Sequence, residues 1–479
     1  MTYVDKTSAF HEANLIQKSV LSISCVLLSI IVITLTILIV LTIKYQKGIQ
    51  KVVFVDELLG TNNYEYLRVW FEHLTCEQKE DLFLAVMDID GFKALNMSYG
   101  SESCDRLLKY ISESFEKSCP NDQIYRRYAD HFVCIMHGKN KTVIEKSLDT
   151  FLMKIQTDVK MRKIIPFVLS IGVCSLEAVQ HLYNGYTQAT LAKNSIKGNY
   201  INQYAFFEDS LREVSVRNME LRSLFNIALQ NREFQIVYQP KYDMRFGEIV
   251  GAEALVRWVK PNGQIISPGE FISCFEDSGQ IIQLDEYVFE TVCAEMAEMQ
   301  SKGIPVKRVS VNLSRVNVKY SNIVMKLRKA IDQFQVQPQN LAIELTESAI
   351  FDDAKKVCDL VNELHSLGCR VDMDDYGTGI SSLLSLANAD FDVIKLDRSF
   401  VDSIGNKKME AVIKFTLDLA RELNLIVVAE GVESKEETEF LICNGCYYAQ
   451  GYYFSKPVSR EVYEEMLRNK TNKHNHREI

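Results

Sequence analysis

The chain has 479 residues, enough for two or three domains, and a formal net charge of −9. With no long basic stripe outside the short C-terminal tail, that charge argues against a surface for a nucleic-acid polymer. Twelve cysteines without framework spacing read as thiols of a reducing compartment, not as a disulfide scaffold. Cys443-Asn444-Gly445-Cys446 is a single C-x-x-C with no second pair, and reads as two half-buried thiols in preference to a zinc or redox site.

Residues 1–19 form a short, nearly neutral N-terminus containing Asp5, Lys6, Glu12 and Lys18. Residues 20–43 (Val20 to Ile43) then run without a single charge, long enough to cross a bilayer. Lys44, Lys47 and Lys51 follow in a juxtamembrane linker, 44–51, and the positive-inside bias predicts a single-pass protein with its N-terminus outside and the rest in the cytoplasm. The run is too long and too far from the start for a cleaved signal peptide, and no small-residue cleavage site follows it.

From residue 52 to 208 strands alternate with helical patterns, which predicts an α+β or α/β domain. After Asp56-Glu57-Leu58-Leu59-Gly60-Thr61-Asn62-Asn63, the stretch 82–90 reads as a buried strand ending in acids, and Gly91 to Asn96 enters a helix. Residues 123–136 have the pattern of a hairpin around Tyr128-Ala129-Asp130, and 167–174 that of a further strand. These residues resemble a GGDEF, or diguanylate cyclase, domain: Asp56 to Asn63 is similar to D-x-L-T-G-x-x-N, and Asp88 to Asn96 to D-x-D-x-F-K-x-x-N. The signature departs from the family, because Tyr128-Ala129-Asp130-His131-Phe132 stands where Gly-Gly-Asp-Glu-Phe belongs. A nucleotide phosphate must approach the backbone closely, which glycine permits and tyrosine blocks. His131 also replaces an acid that metal-assisted phosphoryl transfer needs. Met97 takes the place of the family's Asp, and Cys119 that of the Arg in the inhibitory R-x-x-D ending at Asp122. A degenerate domain without cyclase activity is expected. Asp88, Asn96, Asp105 and Asp130 remain, which leaves open GTP binding as a regulatory input or a plain dimerisation or spacer role.

In residues 210–470 a helical stretch from Leu211 leads to an apolar strand, 234–240, ending at Pro240. The pattern repeats. Apolar runs end at Glu253, at Asn312, at Glu344 (with Glu347 beyond), at Asp374 and Asp375, at Lys395 (with Asp397 beyond) and at Glu430. Amphipathic helical stretches such as 285–302 and 353–367 lie between them, so a parallel sheet covered by helices is predicted. Eight such units predict a (β/α)8 TIM-like barrel with its site at the strands' C-terminal ends. The stretch Cys369 to Ser382 concentrates the signal: neighbouring side chains on a strand face opposite ways, so Asp374 and Asp375 can diverge only where the strand stops. Residues 471–479 read as a disordered tail in which His474 and His476 are solvated.

Oxygen donors from separate strands (Glu253, Asn312, Glu344, Asp374) suit a hard divalent ion such as Mg2+ or Mn2+, and Asp375 allows a second with Asp374 as the bridge. Paired ions fit metal-dependent phosphodiester hydrolysis, although the same donors could serve enolisation. From Gln239 to Pro457 the chain resembles the EAL family of cyclic-di-GMP phosphodiesterases: Glu253-Ala254-Leu255-Val256-Arg257-Trp258 is similar to E-A-L-x-R-W, and Asn312-Leu313-Ser314, Glu344 to Glu347, Asp374 to Gly379, Lys395-Leu396-Asp397, Glu430 to Glu433 and Gln450-Gly451 follow in family order. Tyr376 for Phe is the main departure.

That resemblance implies a bacterial second-messenger enzyme of the cytoplasmic membrane that opens cyclic-di-GMP to linear pGpG with two divalent ions, Mg2+ or Mn2+. Glu253, Asn312, Glu344 and Asp374 would hold the first ion, and Asp374, Asp375 and Glu430 the second. Lys395 would act on the water and Gln450 would support the cluster. Gln239, Leu255, Arg257, Asp397 and Glu433 would bind substrate. Glu347 would anchor a regulatory loop, Tyr376, Gly377, Thr378 and Gly379 onward, in a homodimer. A non-catalytic cyclic-di-GMP receptor is the alternative, one that typically lacks metal ligands present here.

Overall fold

The computed structural model describes residues 6–161, 164–197, 203–319, 322–347, 349, 354–377 and 389–469. It divides into two compact units, Met1–Ser215 and Val216–Ile479. The first opens with one helix, Lys6–Phe54, that is long and apolar enough to cross a membrane and whose apolar stretch is not packed inside the protein. Its hydroxyls are satisfied within the helix: Ser24 donates to the Val20 carbonyl at 2.8 Å and Thr36 to that of Val32 at 2.7 Å, so they can sit in an apolar medium without stranded donors. Asn63 ties off the helix end, its side-chain amide donating to the Val53 carbonyl at 2.8 Å while its oxygen caps helix Tyr64–Glu72.

Five strands follow: β1 (Leu82–Ile89), β2 (Gln123–Tyr128), β3 (His131–His137), β4 (Leu169–Ser175) and β5 (Tyr204–Phe206), in the order β2-β3-β1-β4-β5. All pairs are antiparallel except β4–β5. Central β1 is buried along its whole length, and its alternation divides two cores. Phe83, Ala85, Met87 and Ile89 pack with helices Ser101–Ser118 and Lys141–Lys160. Leu82, Leu84 and Val86 pack with helices Tyr64–Glu72 and Leu182–Ser195. The hairpin expected over 123–136 is β2–β3.

The second unit is a closed barrel. Its strands are β6 (Phe234–Asp243), β7 (Glu248–Val259), the short β8 (Ile265–Ile266), β9 (Arg308–Asn312), β10 (Leu341–Thr346), β11 (Arg370–Tyr376), β12 (Val393–Leu396), β13 (Ile426–Glu430), β14 (Tyr448–Gln450) and the short β15 (Val458–Ser459). From β7 through β9 to β14 neighbours run parallel, and β6 closes the ring between β14 and β7. The expectation of a uniformly parallel barrel is corrected here: β6 is antiparallel to both neighbours. The cause is chain length. Only Met244 to Gly247 connects β6 to β7, with Gly247 at φ +65°, and so short a link makes a hairpin and no crossover. The predicted strand end at Pro240 is likewise extended, to Asp243.

Rings of Phe225, Phe234, Trp258, Phe271 and Phe275 pack with centroids 4.8–6.2 Å apart and seat the hairpin on its covering helices. Tyr238 stacks on Tyr463 of helix Arg460–Arg468 and donates to Glu295 at 2.6 Å. Those contacts fix β6 and β7, the strands that carry Gln239 and Glu253.

Candidate active site

The polar ends of the parallel strands converge on one lysine. Lys395, 1% exposed, holds its ammonium 2.8 Å from Glu344 Oε2, 2.9 Å from Glu430 Oε1, 3.0 Å from Asp374 Oδ1 and 3.2 Å from Glu253 Oε2. The Gln450 amide donates to Glu253 at 2.7 Å and to Glu430 at 2.8 Å, and Asn312 donates to the other Glu253 oxygen at 2.7 Å. Glu253 does not sit at a strand end as expected. It lies in the middle of β7, buried, because β7 runs on to Val259 as the partner of β6.

Asp374 and Asp375 both belong to β11, so the strand does not stop to let them diverge. The ladder between β11 and β12 slips after Met373, and Asp375 takes φ +55°, a left-handed conformation that breaks the alternation and brings two successive carboxylates to one site. The Asp375 amide donates to Asp374 Oδ1 at 2.9 Å, which anchors the turn.

Below this layer lies a group the strand-end pattern missed. Lys241, 7% exposed, places its ammonium 2.8 Å from Glu344 Oε1, 2.8 Å from Ser310 Oγ and 3.8 Å from Asp372 Oδ2. Ending the strand at Pro240 hid Lys241. The alternation Gln239, Lys241 and, on β11, Asp372, Asp374 was the readable signal.

Charge balance sets the electrostatics. Burial and mutual repulsion push the Glu253 and Asp374 carboxyls up. Burial raises Asp375, lifts Glu430 to about 8 against the pull of Lys395, and lifts Asp372 to about 6 against that of Lys241. Burial works the same way on Glu344, but Lys241 and Lys395 on either side outweigh it and hold this carboxyl well below the usual range. Lys395 is buried too, yet four carboxylates keep its ammonium protonated far above the ordinary lysine range.

A cation fits this mouth. The ligand atoms of Glu253, Glu344 and Asp374 lie within 4.8 Å of one another, as do those of Asp374, Asp375 and Glu430, so Asp374 is shared. The donors are all oxygen, the chemistry of hard divalent ions. Six carboxyl groups (Glu253, Glu344, Asp372, Asp374, Asp375, Glu430) gather around two ammonium groups, so acids outnumber the chain's own cations here. Gln450 Oε1 is a buried acceptor without a hydrogen-bond partner.

The remaining expected residues fall into two sets. Gln239 faces Glu253 across the β6–β7 ladder. Leu255 and Arg257 line a cavity of about 210 Å³ together with Asn312 and Arg315, and Arg257 is half-buried, its Nη1 donating to the Val256 carbonyl at 2.9 Å. Burial lowers the Arg257 guanidinium from its ordinary range. Asp397 and Glu433 stand outside the cluster: Asp397 caps helix Arg398–Val401, and Glu433 pairs with Arg398 at 3.0 Å. Buried Glu347 accepts the Gly377 amide at 3.1 Å, next to buried Tyr376. Thr378 and Gly379 lie outside the described residues.

In the first unit Asp88, 2% exposed, is paired with buried Lys193, and Lys197 and His131 Nδ1 approach it at 3.7 and 3.9 Å. Asp130 accepts the Ile89 amide at 3.0 Å. Ala129 takes the left-handed conformation, φ +46°, that glycine would hold without strain, and the Tyr128 ring leans on His131 with centroids 4.5 Å apart. Asn96 sits half-buried on helix Phe92–Tyr99, and Asp105 is exposed on helix Ser101–Ser118.

Fold and site together define a barrel whose mouth gathers clustered carboxylates that could hold a cation. Residues 223–457 match the EAL domain, and residues 53–199 match the diguanylate cyclase, GGDEF domain. The chain thus carries a GGDEF-matching unit followed by an EAL-matching barrel. It is 30% identical over 384 residues to the bifunctional diguanylate cyclase/cyclic di-GMP phosphodiesterase MucR of Pseudomonas aeruginosa, covering 78% of this chain and 55% of that protein. It is 31% identical over 424 residues to the cyclic di-GMP phosphodiesterase NbdA of the same organism, covering 86% and 54%. The chain thus spans about half the length of the curated relatives it matches. Among solved structures, the S helix-GGDEF-EAL portion of Vibrio cholerae LapD shares the fold, with a TM-score of 0.57 at 17% identity over 86% of this chain and 99% of that one.

Proposed function

We propose that the chain is a membrane-anchored, metal-dependent phosphodiesterase that hydrolyses cyclic-di-GMP to pGpG. The observation that carries this is the converging cluster around Lys395, with both carboxylate groupings complete. Two divalent ions, Mg2+ or Mn2+, held by Glu253, Asn312, Glu344 and Asp374 and by Asp374, Asp375 and Glu430, would supply an activated water and neutralise charge in the phosphodiester transition state.

The chain's own residues do the rest. Arg257 presents a planar fork, fixed by Val256, to a substrate phosphate beside Leu255, and Gln239 flanks the groove. Lys395, set among Glu253, Glu344, Asp374 and Glu430, is placed to orient the attacking water and stabilise developing negative charge. Gln450 keeps Glu253 and Glu430 apart and aimed at the mouth. Asp397 and Glu433, from the loops beyond β12 and β13, would close on the ligand from outside the cluster.

The GGDEF unit is read as regulatory and without cyclase activity. Its Asp88 is neutralised by Lys193, the chain's own cation, and Tyr128 and Ala129 replace the glycines where a phosphate would approach. Lys197, exposed beside Asp88, leaves a basic group for the phosphates of GTP as an input without turnover. Residues 20–43 would anchor the protein in the cytoplasmic membrane, and a homodimer is expected from the family resemblance.

The test is chromatography of cyclic-di-GMP incubated with the full chain and Mn2+, beside Glu253→Gln. Linear product from the parent and a loss of at least about 100-fold in the variant are expected, since a metal ligand and two hydrogen-bond partners are disturbed at once. Tight binding with no product from the parent would replace the enzyme with a receptor.

A further inference from the structure

We infer that Lys241 is a positioning residue for the cation site: it holds Glu344 so that only one carboxylate oxygen faces the mouth. This rests on the metal-dependent reading above. Glu344 is stretched between two ammonium groups, Oε1 to Lys241 and Oε2 to Lys395, each at 2.8 Å, and its side chain is fully buried. Lys241 is itself fixed from two other sides, by Ser310 Oγ at 2.8 Å and by Asp372. It therefore acts as a rigid clamp and not as a loose counter-ion.

The clamp depends on β6, which runs antiparallel to β14 and β7 on either side of it. Lys241 pairs in register with Gly251 of β7, and no side chain at Gly251 competes for the interior beside the lysine stem. A Cβ there would meet the Arg308 carbonyl at 2.7 Å, so the β7–β9 contact keeps this position a glycine. The ladder slips immediately after Lys241, between it and Tyr242, which ends the inward alternation at this residue.

Two effects of removing the clamp have opposite signs. Deleting a cation beside an anionic site strengthens cation binding, whereas freeing a carboxylate to rotate weakens it. Partners that orient a metal-ligating carboxylate typically carry about 10–100-fold in affinity, so the positioning role predicts the second outcome. The experiment is Mn2+ titration of the full chain in detergent, read by the electron paramagnetic resonance signal of free Mn2+, for the parent and for Lys241→Met. At least about tenfold weaker Mn2+ binding in the variant is expected, with turnover partly recovered at high Mn2+.

Lys241→Met leaves Glu344 and Asp372 buried without their shared cation. The double variant Lys241→Met/Asp372→Asn restores the charge count and is measured alongside. It also frees Glu344 Oε1, so it too should bind Mn2+ more weakly. Unchanged or tighter binding in a folded variant overturns the proposal and leaves the phosphodiesterase reading intact. A parent chain that binds no Mn2+ overturns both.

Discussion

Glu430 and Asp372 carry protons in the folded, cation-free barrel at pH values where the unfolded chain has lost them, with folded pKa values near 8 and 6 against 4.5 and 3.8. The folded state then binds more protons than the unfolded one, so stability falls as pH rises through the window from about 4 to about 8. A divalent ion replaces the Glu430 proton, so its apparent affinity should climb across the same window and level off above about 8. Melting curves with and without Mn2+ check this: the metal-induced rise in Tm should grow with pH, and a rise that shrinks would contradict the assignment. At this scale Glu253, Glu344, Asp374, Asp375 and Glu430 were legible as the ends of apolar runs, whereas Asp372, inside its run, was not. Lys241 was not, because Pro240 ended the reading of its strand one residue too soon. Glu253 was found for the right chemistry at the wrong place on its strand, buried in mid-β7, which is why Gln, keeping the side chain's shape while removing its charge, is the informative replacement and Ala is not.

The strands were legible from their apolar runs, and the helices 281–301 and 354–367 from their periodicity. Strand direction was not, because a run of apolar residues carries no sign and only the four-residue link from β6 to β7 reveals the hairpin. The slip in β11 was equally silent: no residue type announces that Asp375 adopts a left-handed backbone. Elements also fix Gln450. β14 ends against the turn after β13, where Gly451 packs on Val432, and a Cβ at Gly451 would lie 2.1 Å from the Val432 carbonyl. Gly451→Ala should therefore displace the turn, cost about 1–3 kcal/mol of stability and remove most turnover by misaiming Gln450. Gly269→Ala, where the nearest neighbour is Ser267 Oγ at 3.8 Å, should do neither. Equal effects in urea melts and activity assays would sink the argument.

For the molecule as a whole, two sequence signatures and one charge-free run were enough to read a membrane-length helix, a GGDEF unit and a barrel in that order. What the GGDEF unit does was less legible, because a lysine 105 residues away from Asp88 in sequence supplies its counter-charge. The helix Lys6–Phe54 makes its own prediction. The full chain should sediment with membranes and need detergent for release, while a chain beginning at Val52 should stay in the soluble fraction. Co-sedimentation of the shortened chain after a high-salt wash would argue against residues 20–43 as the anchor.

Closure of the ring by β6 has a consequence for the order in which the protein acquires its chemistry. The β6–β7 hairpin is local and can form early, but the bond from Gln450 to Glu253 spans 197 positions and the clamp from Lys241 to Glu344 spans 103. Contacts so far apart in sequence carry a loop-closure cost before they stabilise anything. A nascent chain that has emerged as far as β13 already holds all six carboxylates, yet they remain a self-repelling set until β14 docks on β6. The last ring strand to be synthesised, followed only by the short β15, is thus the one that turns a crowd of acids into a site.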